Sequence, residues 1–358
     1  ALVGWSLVRA TQPQLQTAGG EKWMEIAFLN AGVRAPFLPP HDPWLSGFAI
    51  SYYYLGYLLL SILTRLAAIP STIAFNLGNA GWYALVAVQA YGLVYDMTEG
   101  RGLYRSLMGT LMLLVTGNGE GMLEVLHARG LLPARFWRWL DIRNLNEPPE
   151  PPFSWVPQRF FWWWQASRTL QDKTPWGDHQ EVIDEFPAFS FILGDMHPHL
   201  LALPFVLVAI ALALNAYRRA VSKPDEAVEP SVDAGARFTL RQALRLSRLA
   251  PLAGYAVILG ALGFLNTWDF PIYWALMVGA WTLGRYVHAE KSVGSFFTCL
   301  WSTVPEALVL GVLSAGLYAP FWLGLRSQAG GILPNLFNAT RLPHFVIMFL
   351  PLLLPVVG

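Results

Sequence analysis

The sequence predicts an all-α fold, a polytopic transmembrane helical bundle with external amphipathic or interfacial helices. Of its 358 residues, 54% are hydrophobic and only 13% are charged, and the mean hydropathy is +0.40. A soluble domain has about 25% charged residues. Apolar runs of about 18 residues recur, close to the roughly 20 that a helix needs to cross a bilayer. The net charge of +1 and the absence of a basic aromatic stripe give no indication of nucleic acid.

The chain is predicted to be a single transmembrane domain, 1–358. It opens and closes inside apolar runs, so we expect both ends to be truncated. Cys299 is the lone cysteine, which leaves no disulfide framework and no cysteine metal site.

Residues 1–8 are predicted to end a first spanning helix, and 9–46 to form the first external loop. Within this loop, EKWMEIAFLNA carries apolar residues three and four apart, which predicts an amphipathic helix along the membrane. Glu21 and Glu25 share one face of that helix, and like charges one turn apart repel unless a positive group lies between them. A solvated helix face is the alternative. Asp42 follows a Pro-rich turn, just before the next apolar run.

That next run is interrupted by Arg65 and Pro70, which predicts two helices. If every apolar run crossed the membrane, the basic loop 218–248 would lie outside. This loop holds seven Lys or Arg against four acidic residues, and the positive-inside rule places it in the cytoplasm. We therefore expect the helix from Tyr52 to Leu66 to be interfacial or re-entrant, because Tyr prefers the interface. The sequence then predicts eight crossings in addition to this helix.

A long external loop is predicted over 118–196, rich in Pro and in aromatic and basic residues. Guanidinium groups pair bidentately with phosphate, and Trp faces stack on sugar rings, so this loop suits a phosphate or sugar pocket. Helices anchored at the headgroups are the alternative. The basic residues concerned are Arg135, Arg138, Arg143, Arg159 and Arg168.

The stretch that organises the chain is Asp195, His197 and His199, directly in front of the apolar run that starts at Leu200. The cytoplasmic loop after this run places the three residues on the outer side. Asp-x-His-x-His is compact enough to bind one divalent cation, Mg or Mn, or an anionic substrate group. Ionisable residues at membrane depth are costly, which favours a functional site. Interfacial residues satisfied by water and headgroups are the alternative.

Two further elements are expected to reach the same place. Asp184 and Glu185 precede the cluster, and Asp269 lies in NTWDFP at another helix end. The remaining apolar runs, 249–268, 271–285 and 305–325, are predicted to cross, followed by an external loop from Arg326 to Arg341 and a final run.

The motifs EKWMEIAFLN, PPHDPWLSG, SYYYLGY, DEFPAFSFILGDMHPHLLALPF and NTWDFP resemble a family of very hydrophobic bacterial and archaeal membrane proteins named for a Tyr-Tyr-Tyr motif. Its layout resembles the GT-C class of polytopic glycosyltransferases, which implies a lipid-phosphate sugar donor and an outer catalytic site. In that class an acidic motif lies in the first external loop, where Glu21 and Glu25 stand here. Lys22 interrupts the usual adjacent acids. Asp184, Glu185 and Asp195 match a second acidic motif loosely.

The resemblance implies a multi-pass glycosyltransferase of the plasma membrane that moves a sugar from a polyprenyl-phosphate donor to an outer acceptor. A non-catalytic subunit among other membrane subunits, or a transporter, is the alternative, although transport sites carry mid-membrane charges that these runs almost lack. The expected partners are membrane lipids and the donor. The expected catalytic residues are Glu21, Glu25 and Asp42, the substrate-binding residues Lys22, Tyr53, Asp184, Glu185 and Asp269, and the metal ligands Asp195, His197 and His199.

Overall fold

A computed structural model describes residues 1–15, 20–159, 161–174, 176–222, 246–326 and 339–357. Most of these residues are helical, which confirms a helical membrane protein fold. Most of the cytoplasmic loop predicted over 218–248, and most of the external loop predicted from Arg326 to Arg341, lie outside the described residues.

The helices are α1 Leu2–Thr11, α2 Lys22–Arg34, α3 Leu55–Ala67, α4 Ser71–Met97, α5 Leu103–Leu114, α6 Glu120–Ala128, α7 Ala134–Leu140, α8 Trp162–Gln165, α9 Pro187–Leu193, α10 Pro198–Ser222, α11 Leu246–Leu265, α12 Asp269–Tyr286, α13 Val293–Leu317, α14 Ala319–Gly324 and α15 Leu342–Val357. A 3-10 turn covers Ala166–Arg168, and β1 Gln171–Lys173 pairs antiparallel with β2 His179–Glu181.

The contacts of the chain fall into two units. Unit 1 comprises Ala1–Met97 and Asp195–Ser327, and therefore α1 to α4 and α10 to α14. Unit 2 comprises Thr98–Gly194 and Gln328–Gly358, and therefore α5 to α9, the β-ribbon and α15. The sequence predicts one domain, and that statement stays a prediction.

Two helices of the described part, α10 and α13, are long and apolar enough to cross a membrane. The bent pair α3 and α4 passes the same test together and would make a third span. The predicted runs around α5, α11 and α15 form shorter apolar helices. The eight predicted crossings therefore stay a prediction.

A sharp bend of 117° separates α3 from α4. Ala68 ends α3 in the left-handed conformation, with φ of 52°, and Pro70 directly precedes α4. Proline disfavours a helical conformation in the residue before it, so the chain cannot continue as one straight helix. A bend of this size belongs to a broken span or a re-entrant loop. It is compatible with the predicted interfacial or re-entrant Tyr helix, which no contact in the structure tests.

Three long helices of unit 1 run in the same direction. Along α4 and α10, the Trp82 Nε1–H group donates to the carbonyl oxygen of Leu201, and Arg218 donates to the carbonyl oxygen of Asp96 near the other end. Along α10 and α12, Gly284 lies against Ala220, so both helices also end together. Helices α11 and α13 also pack against α12.

The carboxyl ends of α10 and α12 carry several basic side chains. These are Arg218, Arg219, Arg285 and Lys291. Basic residues favour the cytoplasmic side of a membrane and also suit the negative end of a helix dipole. Their clustering at one end is what the predicted orientation requires.

Close backbone approaches bring α3 against its neighbours. A Cβ atom at Gly56 would lie 2.5 Å from Leu201 Cδ1, so only glycine allows this approach of α3 and α10. On the other side, Tyr54 packs edge-on against Phe264, with ring centroids 4.6 Å apart.

Unit 2 has its own small hydrophobic core. Leu123, Trp137, Leu140, Ile142 and Leu145 are buried there, and Ile347 of α15 packs against them. The backbone N–H of Gly119 donates to the Ile347 carbonyl oxygen over 2.7 Å. The segment 118–196, predicted as a long external loop, thus contains four helices, a β-ribbon and a packed core.

Candidate functional site

Helix α2 carries the first half of the site. Glu21 occupies the position before its first residue, and Glu25 lies one turn later on the buried face. Phe28 and Leu29 are also buried, which makes this helix amphipathic as the sequence predicts. A Cβ at Gly32 would meet Ser61 at 2.8 Å, so α2 lies directly on α3.

The start of α10 carries the second half. Helix α9 ends at Gly194, whose φ of +76° turns the chain, and Asp195 to His197 form the link to α10. Pro198 is the first residue of α10, where a missing N–H costs nothing. The predicted placement of the Asp-Met-His-Pro-His motif at a helix start is confirmed.

Glu21 joins the two halves. Its backbone N–H donates to Asp195 Oδ2 over 3.1 Å, and its Oε2 lies 3.0 Å from His197 Nε2. The Glu21 side chain is 57% exposed and that of His197 is 30% exposed, so both can meet a ligand from outside. Gly20 allows this geometry, because a Cβ there would lie 2.5 Å from both oxygens of Asp195.

The two histidines contact each other. His197 Nδ1 lies 3.1 Å from His199 Nδ1, so the N–H of one imidazole donates a hydrogen bond to the ring nitrogen of the other. His199 in turn interacts electrostatically with Asp269, the first residue of α12, and Asp269 is hydrogen-bonded to Asn266. This interaction is compatible with the predicted approach of Asp269 to the His cluster, which stays a prediction.

A buried charged layer lies beneath the exposed pair. Glu25 is fully buried, and its Oε2 accepts the Met196 N–H over 2.8 Å, whereas Oε1 has no hydrogen-bond partner among the described residues. Burial, followed by the negative charge of Asp195, raises the pKa of Glu25 well above its ordinary value. Lys22 and Arg9 are buried as well and interact electrostatically with Asp195. This layer fixes α2 to the start of α10.

Aromatic side chains border the layer. The Tyr52 ring lies 5.6 Å from Phe28, and Tyr57 is buried on the other side of Phe28 at 5.7 Å. Burial and the charges of Glu21 and Glu25 raise the pKa of Tyr52. Tyr53 lies against Tyr52, with centroids 5.2 Å apart, so the Tyr-Tyr-Tyr stretch reaches the site through its first residue.

Asp42 forms local hydrogen bonds in its own turn. Its Oδ1 accepts the backbone N–H groups of Trp44 and Leu45 at 2.8 and 2.9 Å, which stabilises a turn. No hydrogen bond or ion pair among the described residues joins it to Glu21, Asp195 or His197. Glu21, Asp195 and His197 are in hydrogen-bond contact, and the convergence of Asp42 with them stays a prediction.

The metal site predicted at Asp195, His197 and His199 stays a prediction. Among the described residues, no three His, Cys, Asp or Glu side chains are grouped to hold an ion. Both ring nitrogens of His197 are occupied, one by Glu21 and the other by His199. We therefore assign no step to Mg or Mn.

Two polar residues of the first and fourth helices belong to the site and were not predicted. The Asn79 amide donates to the Asp195 carbonyl oxygen over 3.4 Å and accepts from Trp5 Nε1 over 2.9 Å. From the sequence, residue 9 is expected only to begin the first external loop. The signal available was the pair Asn76 and Asn79, polar residues one turn apart inside an apolar run.

Unit 2 holds a separate cluster of acids. Arg159 pairs with Glu124 through Nε at 3.0 Å and through Nη2, which also lies 3.6 Å from Glu120. Burial and the neighbouring Glu124 raise the pKa of Glu120 to about 10, and burial raises that of Asp184 to about 7. Asp184 Oδ2 also accepts the Thr169 N–H.

The roles predicted for several residues of unit 2 change accordingly. Arg159 neutralises buried carboxylates, and Arg168 stacks on Trp164 at 3.9 Å, so both serve internal packing and not a phosphate pocket. Glu185 accepts a hydrogen bond from Ser190. Asp184 and Glu185 are described within unit 2, so the expectation that they reach the His cluster stays a prediction.

Apolar helices long enough to span a bilayer, with a charged cluster at their shared end, define a helical membrane protein. The chain belongs to the family described as uncharacterized membrane protein (DUF2298), whose model matches residues 1–358. No curated protein and no solved structure matches it. The family description confirms the membrane class, and the likeness to the Tyr-Tyr-Tyr family and to the GT-C class stays a prediction.

Proposed function

We propose that this protein is a multi-pass membrane glycosyltransferase of the GT-C type, which moves a sugar from a polyprenyl-phosphate donor to an acceptor outside the plasma membrane. The observation that supports it best is the contact of Glu21 Oε2 with His197 Nε2 at 3.0 Å. Both side chains are partly exposed, and they stand on a buried, internally neutralised layer. General acid–base catalysis needs a proton acceptor that is held in position and that the substrate can reach. Glu21, held beside His197, is the candidate for this acceptor.

Glu21 is the general base of this proposal. Its carboxylate takes the proton of the acceptor hydroxyl while the acceptor oxygen bonds to the anomeric carbon and the bond from that carbon to the phosphate oxygen breaks. Glu25 is unsuited to this role because it is fully buried and already accepts the Met196 N–H. Asp42 is unsuited because its Oδ1 caps a turn.

In this proposal His197 and His199 lie beside the leaving phosphate. The positive end of the α10 helix dipole, where both histidines lie, would stabilise the negative charge that the leaving phosphate acquires. Lys22 was expected to share this role. Its ammonium group is buried near Asp195, so we assign it to neutralising the layer instead.

The location of the charges favours surface chemistry over transport. Transport sites place ionisable groups near the middle of the membrane, at breaks in the helices. The charged residues of this cluster lie near the end of α1, at the start of α2, before α10 and at the first residue of α12. A transporter would need a charged path along α10, whose residues from Leu200 to Tyr217 carry no charge.

The test is a donor turnover assay on the full chain in phosphatidylcholine vesicles. Polyprenyl phosphates carrying different radiolabelled hexoses or pentoses are added together with a membrane extract as the source of acceptors. We expect one donor to lose its sugar and release polyprenyl phosphate, and this release to require Glu21. No release from any donor, with correctly folded protein, would reject the proposal and leave the non-catalytic subunit as the function.

A further inference from the structure

Two adjoining grooves run along the fourth helix of unit 1. The first, of about 330 Å³, lies between α1 and α4 and is lined by Ser6, Arg9, Asn76 and Leu77, among others. The second, of about 420 Å³, lies between α3 and α4 and is lined almost entirely by apolar side chains. Leu77 forms part of the wall of both, so the two grooves adjoin, with a charged end at the first and an apolar end at the second.

The charged end is built around Arg9. Its Nε and Nη2 donate to Asn76 Oδ1 at 3.2 and 2.9 Å, and Nη2 also donates to the carbonyl oxygen of Gln12. These bonds fix the plane of the guanidinium. The third nitrogen, Nη1, makes no hydrogen bond to another described residue. A guanidinium held in this way is pre-organised for a phosphate oxygen.

The charged end also adjoins the candidate site. Arg9 interacts electrostatically with Asp195, and Asn79, one turn beyond Asn76, donates to the Asp195 carbonyl oxygen. A phosphate held at Arg9 would thus lie next to Asp195, whose carboxylate also accepts the Glu21 N–H.

We propose that this groove binds a single-chain lipid phosphate, with the phosphate at Arg9 and the hydrocarbon chain along α3 and α4 beyond Leu77. The inference rests on the proposed function for the choice of an isoprenoid lipid, and it adds the place where the donor lipid sits. The groove offers one apolar channel, which suits one hydrocarbon chain and not the two of a glycerophospholipid.

A glycine in the wall of the apolar groove permits a clean test. A Cβ at Gly81 would meet no atom within 4 Å, so Gly81→Leu fills the groove without straining the fold. Gly92 lies on the same helix, is equally open and does not line the groove, which makes Gly92→Leu the matched control.

The probe is a photoreactive geranylgeranyl phosphate, cross-linked to the full chain in phosphatidylcholine vesicles. We expect Gly81→Leu to reduce labelling about tenfold or more and Gly92→Leu to leave it unchanged, because a filled channel excludes the chain. Arg9→Gln should weaken competition by unlabelled geranylgeranyl phosphate by about tenfold to a hundredfold, the usual effect of losing a hydrogen bond to a charged group. Geranylgeraniol, which lacks the phosphate, should compete poorly against the unsubstituted protein.

Three results would overturn the inference. These are equal labelling of the Gly81→Leu and Gly92→Leu proteins, equal competition by the alcohol and the phosphate, and stronger competition by phosphatidylglycerol, which would assign the groove to a membrane lipid. Binding is measured here without turnover, so Glu21→Gln should keep full labelling. Labelling at the groove without turnover of any donor would reject the proposed function and leave the lipid site standing.

Discussion

His197 Nε2 lies 3.0 Å from Glu21 Oε2, although the two residues are 176 positions apart in the chain. The contact connects the first loop to the start of α10 and places a carboxylate beside an imidazole at an exposed edge. It is the basis of the first prediction.

Replacing Glu21 by Gln should abolish most turnover while the protein stays folded. Glutamine keeps the size of the side chain and can still hydrogen-bond to His197, but it cannot take a proton. Turnover should fall by about 10²–10⁴, as is usual when a general base is removed. The measurement is release of polyprenyl phosphate, with thermal unfolding as the check on folding.

The matched control for this change is Glu290→Gln, since Glu290 is an exposed acid of the same unit. It should keep full turnover. A Glu21→Gln protein as active as the control would remove Glu21 from the mechanism.

Glu25 should respond differently to two substitutions. Burial and Asp195 raise its pKa well above the ordinary value, so the folded protein favours its neutral form. Glu25→Gln retains an oxygen acceptor for the Met196 N–H and should change the unfolding temperature little. Glu25→Ala leaves that N–H buried without a partner and should cost about 1–3 kcal/mol.

Thermal unfolding of both Glu25 variants in the same detergent checks this prediction. Equal destabilisation by Gln and Ala would mean that Glu25 is ionised and paired with Lys22, contrary to the direction of its pKa.

Arg159 should be essential to the stability of unit 2. Its guanidinium is the positive partner of the buried Glu124 and lies 3.6 Å from Glu120. Arg159→Gln leaves a buried carboxylate uncompensated, for which a cost of about 3–5 kcal/mol is typical. Arg135→Gln, at an exposed arginine of the same unit, is the control and should have little effect.

A second substitution separates charge from packing at this place. Adding Glu124→Gln to Arg159→Gln removes the unpaired charge and should restore part of the lost stability. Limited proteolysis within unit 2 compares the stability of the two variants. If the double variant recovers no stability, the stability lost in Arg159→Gln came from packing and not from charge.

Asp184 should make the stability of unit 2 depend on pH. Burial raises its pKa from 3.8 to about 7, so the folded chain holds this proton when the unfolded chain has lost it. The stabilisation is complete below the unfolded value and is lost as the pH rises towards about 7. The unfolding temperature of unit 2 should therefore be higher at pH of about 5 than at about 8.

Asp184→Asn should flatten that dependence, because the amide still accepts the Thr169 N–H and does not titrate. Asp178→Asn, at an exposed acid, should leave it as it is. An unchanged pH profile in the Asp184 variant would assign the dependence to another group.

Orientation in the membrane can be tested at two exposed positions of unit 1. In a Cys299→Ser background, Phe48→Cys, in the segment between α2 and α3, should react with an impermeant maleimide from outside intact cells. Val293→Cys, next to the basic ends of α10 and α12, should react only after the cells are opened. Labelling of the Val293 position from outside would invert the orientation.

Local patterns were sufficient to predict much of this fold. Apolar residues three and four apart in EKWMEIAFLNA predict α2, and Pro198 before an uncharged run predicts the start of α10, because both patterns depend on neighbours a few residues away. The partner of Glu25 could not be predicted. It is the backbone N–H of Met196, which carries no signal in the sequence.

The errors have physical causes as well. Asp42 is predicted as a catalytic residue because it lies before an apolar run. In the structure its carboxylate accepts the backbone N–H groups two and three residues later, and so stabilises a turn. The sequence places Arg159 among several arginines of one segment. Its neighbours in the sequence do not indicate that Glu120 and Glu124, one helical turn apart, both lie beside it.

The bond between Glu25 and the Met196 N–H joins residues synthesised 171 positions apart. At the usual pace of translation, about 5–20 residues per second, the carboxyl group waits roughly 10 to 30 seconds for its partner to emerge. Throughout that interval it must stay hydrated, because burying it without a partner is costly. Helix α2 therefore docks on the start of α10 only after that segment has been synthesised. The first loop thus closes late in the folding of the chain.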